Sequence, residues 1–248
     1  MSGHSKWASI KHKKGAKDAK RGKLFSKLVK EITVAARRGG GEIDANSQLR
    51  AVVQAARDAN MPVENIERAI KKGTGELPGA SYEETAYEGY GPGGVAILIR
   101  GLTDNKNRTV AEIRHIFDKK GGSIAGPGSV SYLFEKKGFI TVGASGVNEE
   151  ALFSLVLDAG VEDFKAEEDG FEIYTDPSDF EAVKSTLLEN GYQISHGEVT
   201  EIPTNEVPVK GNDARRVLGL LEELEEHDDV QNVYSNCDIP EEILAELE

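Results

Sequence analysis

The 248-residue chain is predicted to be an α+β multidomain protein, with an N-terminal three-helix domain and two ferredoxin-like α+β domains, one inserted in the other. Three observations predict this. Apolar residues recur at helical spacing in three successive segments before residue 79. A Gly/Pro linker then ends the helical run. Beyond it, a full βαββαβ order lies between a β-α-β set upstream and an α-β pair downstream, and the flanking sets nearly make a second such unit. The predicted domains are 1–79, then 80–135 together with 205–248, and an inserted 136–204.

In order, Gly3 to Gly22 holds few apolar residues (Trp7, Ile10 and some alanines), and Gly15 and Gly22 interrupt any helix. It is expected to be a mobile arm. From Lys23 to Arg37 the pattern changes. At about 100° per residue, Leu24, Phe25, Leu28, Val29, Ile32, Ala35 and Ala36 share one face. Lys23, Lys27, Lys30 and Arg37 lie opposite, with Val34 the exception, giving an amphipathic helix with a basic stripe. Gly39-Gly40-Gly41 stops it. Asn46 or Ser47 caps a second helix carrying Leu49, Val52, Val53 and Ala56. Pro62 opens a third with Val63, Ile66, Ala69 and Ile70 inward, and Gly73 ends it.

Gly73 to Ser81 is the linker. Tyr87–Tyr90 and Val95–Arg100 are predicted strands around the turn Gly91-Pro92-Gly93-Gly94. Asp104 is expected to cap a helix from about Asn107 to Lys120, with Val110, Ile113 and Phe117 inward, and the alternation of Ser129–Phe134 predicts a strand. The inserted unit follows: strand 139–142, helix 148–159, strands 163–167 and 171–175, a helix from Pro177 to Asn190, and strand 192–201. A helix over 213–226, a strand over 230–235 and an acidic end, 241–248, complete the chain.

Charge is unevenly placed. Between Gly3 and Arg38 twelve Lys and Arg oppose only Asp18 and Glu31, a net of +10 in a chain of net charge -13, so the remainder carries -23. Such segregation points to an anionic partner. A membrane would need the helix's apolar face free, and here that face is needed for the helical core, so nucleic acid is the expected partner and no membrane is. The expected contact residues are His4, Lys6, Trp7, Lys11, Lys13, Lys14, Lys17, Lys20, Arg21, Lys23, Lys27, Lys30 and Arg37. Trp7 can stack on a base. A secondary anion site is expected at Asn105, Lys106, Asn107 and Arg108, where free helix N–H groups and two cations coincide.

Other chemistry finds little support. The third helix opens Val63-Glu64-Asn65, with Glu67 following. These acids repel phosphate where a recognition helix offers base-reading donors. Gly15 to Leu24 lacks the spacing and the Ser or Thr of a phosphate-binding loop. The turn at Gly91–Gly94 loses a donor to Pro92. His4, His12, His115, His196 and His227 have no zinc-ligand spacing, and Cys237, the only cysteine, excludes an intrachain disulfide and fits a reducing compartment. No acid/base pair is legible. No catalytic residue, metal, cofactor or small-molecule ligand is expected, and the location expected is cytoplasmic.

The segments GHSKWASIKHKKGAKDAKRGKLFSK, MPVENIERAIKKGTG, YEGYGPGGVAILI, TDNKNRT, GSVSYLF and DAGVEDFKAEEDGFEIYT together resemble the YebC/PmpR family over essentially the whole chain. The resemblance implies three domains and a cytoplasmic, non-enzymatic regulator. Bacterial members are customarily assigned as probable DNA-binding transcriptional regulators. A mitochondrial relative is a translational activator, and some bacterial members are associated with ribosomes stalled on proline-rich sequence. The family's basic N-terminal residues correspond to Lys6, Lys11, Lys13, Lys14, Lys17, Lys20, Arg21 and Lys23. Two functions stay open: a DNA-binding transcriptional regulator, and a translation factor whose arm enters ribosomal RNA.

Overall fold

The structure, a computed structural model, describes residues 18–167 and 170–240, with side chains from Arg21 onward. Three helices come first: α1 (Asp18–Gly39), α2 (Ser47–Asp58) and α3 (Val63–Thr74). Leu28, Ile32, Ala35 and Ala36 of α1 pack with Leu49, Val53, Ala56, Ile66 and Ala69 into one core. Helix α1 begins five residues earlier than the sequence suggests. Gly22 lies within it, exposed, with nothing near its missing Cβ, so it costs the helix only propensity, about 1 kcal/mol. Asn46 is the α2 cap, accepting from the Leu49 N–H at 3.1 Å. Its amide also donates to the Ala35 and Gly40 carbonyls, both at 2.9 Å, and so fixes the end of α1 to the start of α2.

Two expectations about α3 are corrected. Val63 faces solvent, 62% exposed, and is absent from the core that Ile66 and Ala69 join. Gly73 does not end the helix; Gly75, at φ +85°, does. Gly73 is buried where α3 crosses α1, and a Cβ there would lie 2.5 Å from the Thr33 carbonyl oxygen. Its lack of a side chain serves helix approach, not termination.

The first sheet has the antiparallel order β3-β1-β2-β9, from β1 (Glu83–Tyr90), β2 (Ala96–Thr103), β3 (Ser123–Ala125) and β9 (Val230–Ser235). Helices α4 (Lys106–Lys120) and α7 (Gly211–Glu225) cover one face. Ile97, Ile99, Ile113, Phe117, Val217, Leu221 and Val233 belong to the core between them. The second sheet, order β5-β6-β4-β7, is built from β4 (Phe134–Gly143), β5 (Val161–Glu167), β6 (Gly170–Thr175) and β7 (Ile194–Pro203). Helices α5 (Glu149–Asp158) and α6 (Phe180–Glu189) pack on it through Leu152, Val156, Val183 and Leu187. A short parallel pair, β8 (Val207–Pro208) with β10 (Cys237–Asp238), completes the fold. The chain leaves the first sheet after β3, builds the whole second sheet, and returns for α7 and β9.

The strand expected at Ser129–Phe134 is replaced by a turn and a single 3-10 turn at Ser131–Leu133, with β4 starting at Phe134. Its amides are taken by a side chain. Glu88 of β1, 6% exposed, accepts from Gly128 N–H at 2.8 Å, Val130 N–H at 2.6 Å and Ser131 N–H at 2.9 Å. The third strand of the sheet is the three-residue β3, too short to show alternation. Val130 and Phe134 then pack on Ala96 and Leu98 of β2.

The chain path suggests a division that can be tested. A fragment of residues 134–204 holds every strand and helix of the second sheet and is expected to unfold cooperatively by itself. A fragment ending at residue 134 lacks α7 and β9, which supply much of the first sheet's core, and is expected not to fold its β portion. Circular dichroism melts of the two decide it; like behaviour by both would refute the division.

Candidate nucleic-acid interface

Of the expected contact residues, His4, Lys6, Trp7, Lys11, Lys13, Lys14 and Lys17 lie outside the described residues, as does the side chain of Lys20. Arg21 is exposed at the start of α1, donating to the Asn60 carbonyl at 3.3 Å and lying 5.3 Å from the Phe25 ring centre.

The basic stripe of α1 is not presented to solvent as a free surface. Its spacing of four and three residues matches a row of acceptors at the end of α7. Lys23 donates to the Glu226 carbonyl at 3.1 Å, Lys27 to Glu225 at 2.7 Å and Lys30 to Asp228 at 2.8 Å. The last carbonyls of a helix lack partners within it and carry the negative end of its dipole, so Lys23 and Lys27 cap α7 from another domain, and Lys30 meets the turn that follows. Arg37 donates to Ser81 Oγ at 2.7 Å in the linker, and Arg38 pairs with Glu84 of β1 at 2.6 Å. These partners lie some 40 to 200 residues away in the chain, beyond any periodicity.

Asp229 is the centre of this seam. Its side chain is 6% exposed. Lys30, itself 12% exposed, reaches Oδ1 at 2.6 Å. Oδ2 accepts from Thr109 Oγ1 at 2.7 Å and Arg108 at 2.9 Å, with Thr103 Oγ1 at 3.0 Å. Burial by itself would raise this carboxyl. The bonds from Lys30, Thr109 and Arg108 outweigh burial and hold it well below the usual carboxylate range. His227 orients the turn: its Nδ1 accepts from the Asp229 N–H at 3.1 Å, and its Nε2 lies 2.9 Å from Glu112 Oε2. With Nδ1 an acceptor, the ring proton sits on Nε2.

The residues of the expected secondary anion site take part in the same seam. Arg108 bonds Asp229 and also Asp104, at 2.9 Å. Lys106 pairs with Glu83 at 2.6 Å. Asn105, not Asp104 as the sequence suggests, caps α4, its Oδ1 accepting from the Arg108 N–H at 3.1 Å, while the Asp104 carboxylate takes the Arg108 guanidinium. Asn107 is exposed in the first turn. The anion beside this helix start is the chain's own Asp229 carboxylate, so the cations are already answered. The signal for it, an acid 121 residues downstream, has no local mark in the sequence.

Beside the seam runs a cleft of about 1210 Å³ between the helical domain and the first sheet's domain. Its two walls differ in sign. On the α1 and α3 side the charged lining residues are Lys23, Lys30, Arg68 and Lys72; on the other side are Asp104, Glu112, Glu226, Asp228 and Asp229, with Arg108 and two histidines. No carboxylate among the described residues pairs with Arg68 or Lys72. Nor do the described residues hold a cluster of His, Cys, Asp and Glu suited to a metal, or a helix long and apolar enough to cross a membrane.

The seam has a definite pH dependence. Asp229's folded carboxyl is depressed, so its contribution is fully present above the unfolded value of about 3.9 and is lost as pH falls through the lower folded value. The stability difference between wild type and Asp229→Asn is therefore expected to be constant from about pH 5 to 8 and to shrink below about pH 4. Urea unfolding of both proteins across this range measures it. A difference that persists undiminished at about pH 2 would contradict the assignment.

A family model described as the TACO1/YebC protein N-terminal domain matches residues 5–76, and one described as the TACO1/YebC second and third domain matches residues 82–237. A probable transcriptional regulatory protein of Dictyoglomus turgidum is 57% identical over 248 residues, all of both chains. One of Thermotoga maritima is 56% identical over 253 residues, again covering both chains fully. The crystal structure of a conserved hypothetical protein, Aq1575, from Aquifex aeolicus superposes with a TM-score of 0.80 at 50% identity, over 92% of this chain and 94% of that one.

Proposed function

The chain belongs to the TACO1/YebC family, and from that premise we propose that it is a non-enzymatic, nucleic-acid-binding regulator of gene expression, acting as a DNA-binding transcriptional regulator. Its relatives are called probable transcriptional regulatory proteins. The observation that carries the reading is the charge segregation: +10 within Gly3–Arg38 of a chain of net -13. Lysine-rich contact neutralises phosphates and releases counterions. The lysines of α1 that form the seam leave Lys6, Lys11, Lys13, Lys14, Lys17, Lys20 and Arg21 as the primary contact set, with His4 and Trp7 available to stack.

A second reading, a factor bound to ribosomal RNA, is favoured by one feature of α3. Its first turn carries Glu64 and an exposed Val63. Base-edge readout needs Arg, Lys, Asn or Gln on a helix that enters the groove. Lysines act as point charges that position a protein on a backbone without specifying sequence.

A matched competition tests the two readings. A candidate promoter duplex, a scrambled duplex and purified ribosomes compete for the protein at physiological salt, with and without residues 1–21. Discrimination between the duplexes below about tenfold, with ribosome binding lost on truncation, favours the RNA reading. About a hundredfold preference for the promoter, without ribosome binding, favours the DNA regulator; each good bidentate base contact supplies ~1–3 kcal/mol of such preference. Absence of binding to all three refutes both.

A further inference from the structure

We infer that the acidic wall of the interdomain cleft is an internal competitor for nucleic acid: it holds the cationic face of α1 in a closed state that a phosphate backbone must displace. The inference rests on the nucleic-acid reading and adds its regulation.

The geometry is that of a charge latch. Lys23, Lys27 and Lys30 meet carbonyl oxygens at the end of α7 and in the turn after it at 2.7–3.1 Å, where oxygens of a phosphate backbone would satisfy the same donors. Lys30 also meets a carboxylate, Asp229. On the same side of the cleft, Arg68 and Lys72 of α3 are cations without a carboxylate partner among the described residues. The cationic wall thus continues the basic stretch of the sequence through α1, with α3 adding two cations beside it. Closed, Lys23, Lys27 and Lys30 are answered by carbonyls of the first sheet's domain and by Asp229; opened, the wall would offer up to five cations to a phosphate backbone. Both states satisfy Lys23, Lys27 and Lys30, so the equilibrium responds to whichever anion is present.

The parts of the latch differ in strength. Lys23 is exposed, and such a contact contributes little in water. The Lys30–Asp229 pair is nearly dry and is reinforced by Thr109 and Arg108. Asp229 therefore sets the balance, and Asp229→Asn removes its charge while keeping its shape.

The test is a distance measurement combined with binding. Lys71→Cys on α3 and Arg114→Cys on α4 place two spin labels on exposed positions either side of the cleft; Cys237 is 3% exposed and escapes labelling. A mixed-sequence 20-base-pair duplex is the probe. Wild type is expected to show a short label separation that lengthens when the duplex binds. Asp229→Asn is expected to show the longer separation without duplex and to bind the duplex about tenfold more tightly, as when a closed state populated about ten to one is removed. A duplex that binds wild type without changing the separation overturns the latch and leaves the nucleic-acid reading standing. No binding of the duplex by either protein refutes the DNA-binding reading, and with it a latch opened by a duplex phosphate backbone. The wild-type comparison leaves every seam residue intact, so it decides the matter even if Asp229→Asn does not fold.

Discussion

Replacing Glu88 by Ala is expected to destabilise the protein by about 3–5 kcal/mol. Its carboxylate satisfies three backbone N–H groups of residues 128–131 beneath the first sheet, and each buried donor left without a partner costs roughly 1–3 kcal/mol. Water can reach part of that segment on relaxation, which is why the sum is smaller than three full penalties. Burial would raise the Glu88 carboxyl, yet the three amides hold it below its ordinary range. The effect is read from urea midpoints, with hydrogen exchange at Gly128, Val130 and Ser131 as a local check. Glu88→Gln keeps one acceptor oxygen and should cost less. A loss below about 1 kcal/mol with those amides still protected would show that Glu88 does not hold the turn.

Changing Lys13, Lys14, Lys17 and Lys20 together to Glu should weaken nucleic-acid binding by at least about 100-fold at physiological salt. If the wild-type arm makes ~6 phosphate contacts with duplex DNA, log K falls against log salt with a slope near -5. The variant loses four of those contacts, gains four repulsions, and its slope flattens. Its melting temperature should match wild type, because none of the four belongs to an apolar face in the sequence. Fluorescence anisotropy across a salt series reports both quantities. Unchanged affinity in the variant would place the contact surface elsewhere.

The two predictions rest on different kinds of information. The arm's is legible in the chain, since charge density needs no fold to be counted. Glu88's is not, because its partners are about 40 residues away and nothing near Glu88 sets it apart from the exposed Glu83 and Glu84 of the same strand.

The same division runs through the molecule. Periodicity and caps determined α1, α2 and α3, a cap at Asn46 or Ser47, the strand Val230–Ser235 and the βαββαβ order of the second sheet, because each follows from interactions within a few residues. The basic stripe of α1 was also determined by the sequence, as a stripe. What faces it was decided only by the tertiary structure, which sets the end of α7 and Asp229 against it. Gly73 as a point of helix contact, Glu88 as the partner of a turn, and Arg108 as an internally paired cation were decided the same way. In each case burial brings together groups distant in the chain, and a buried polar group must find its partner wherever the fold provides one.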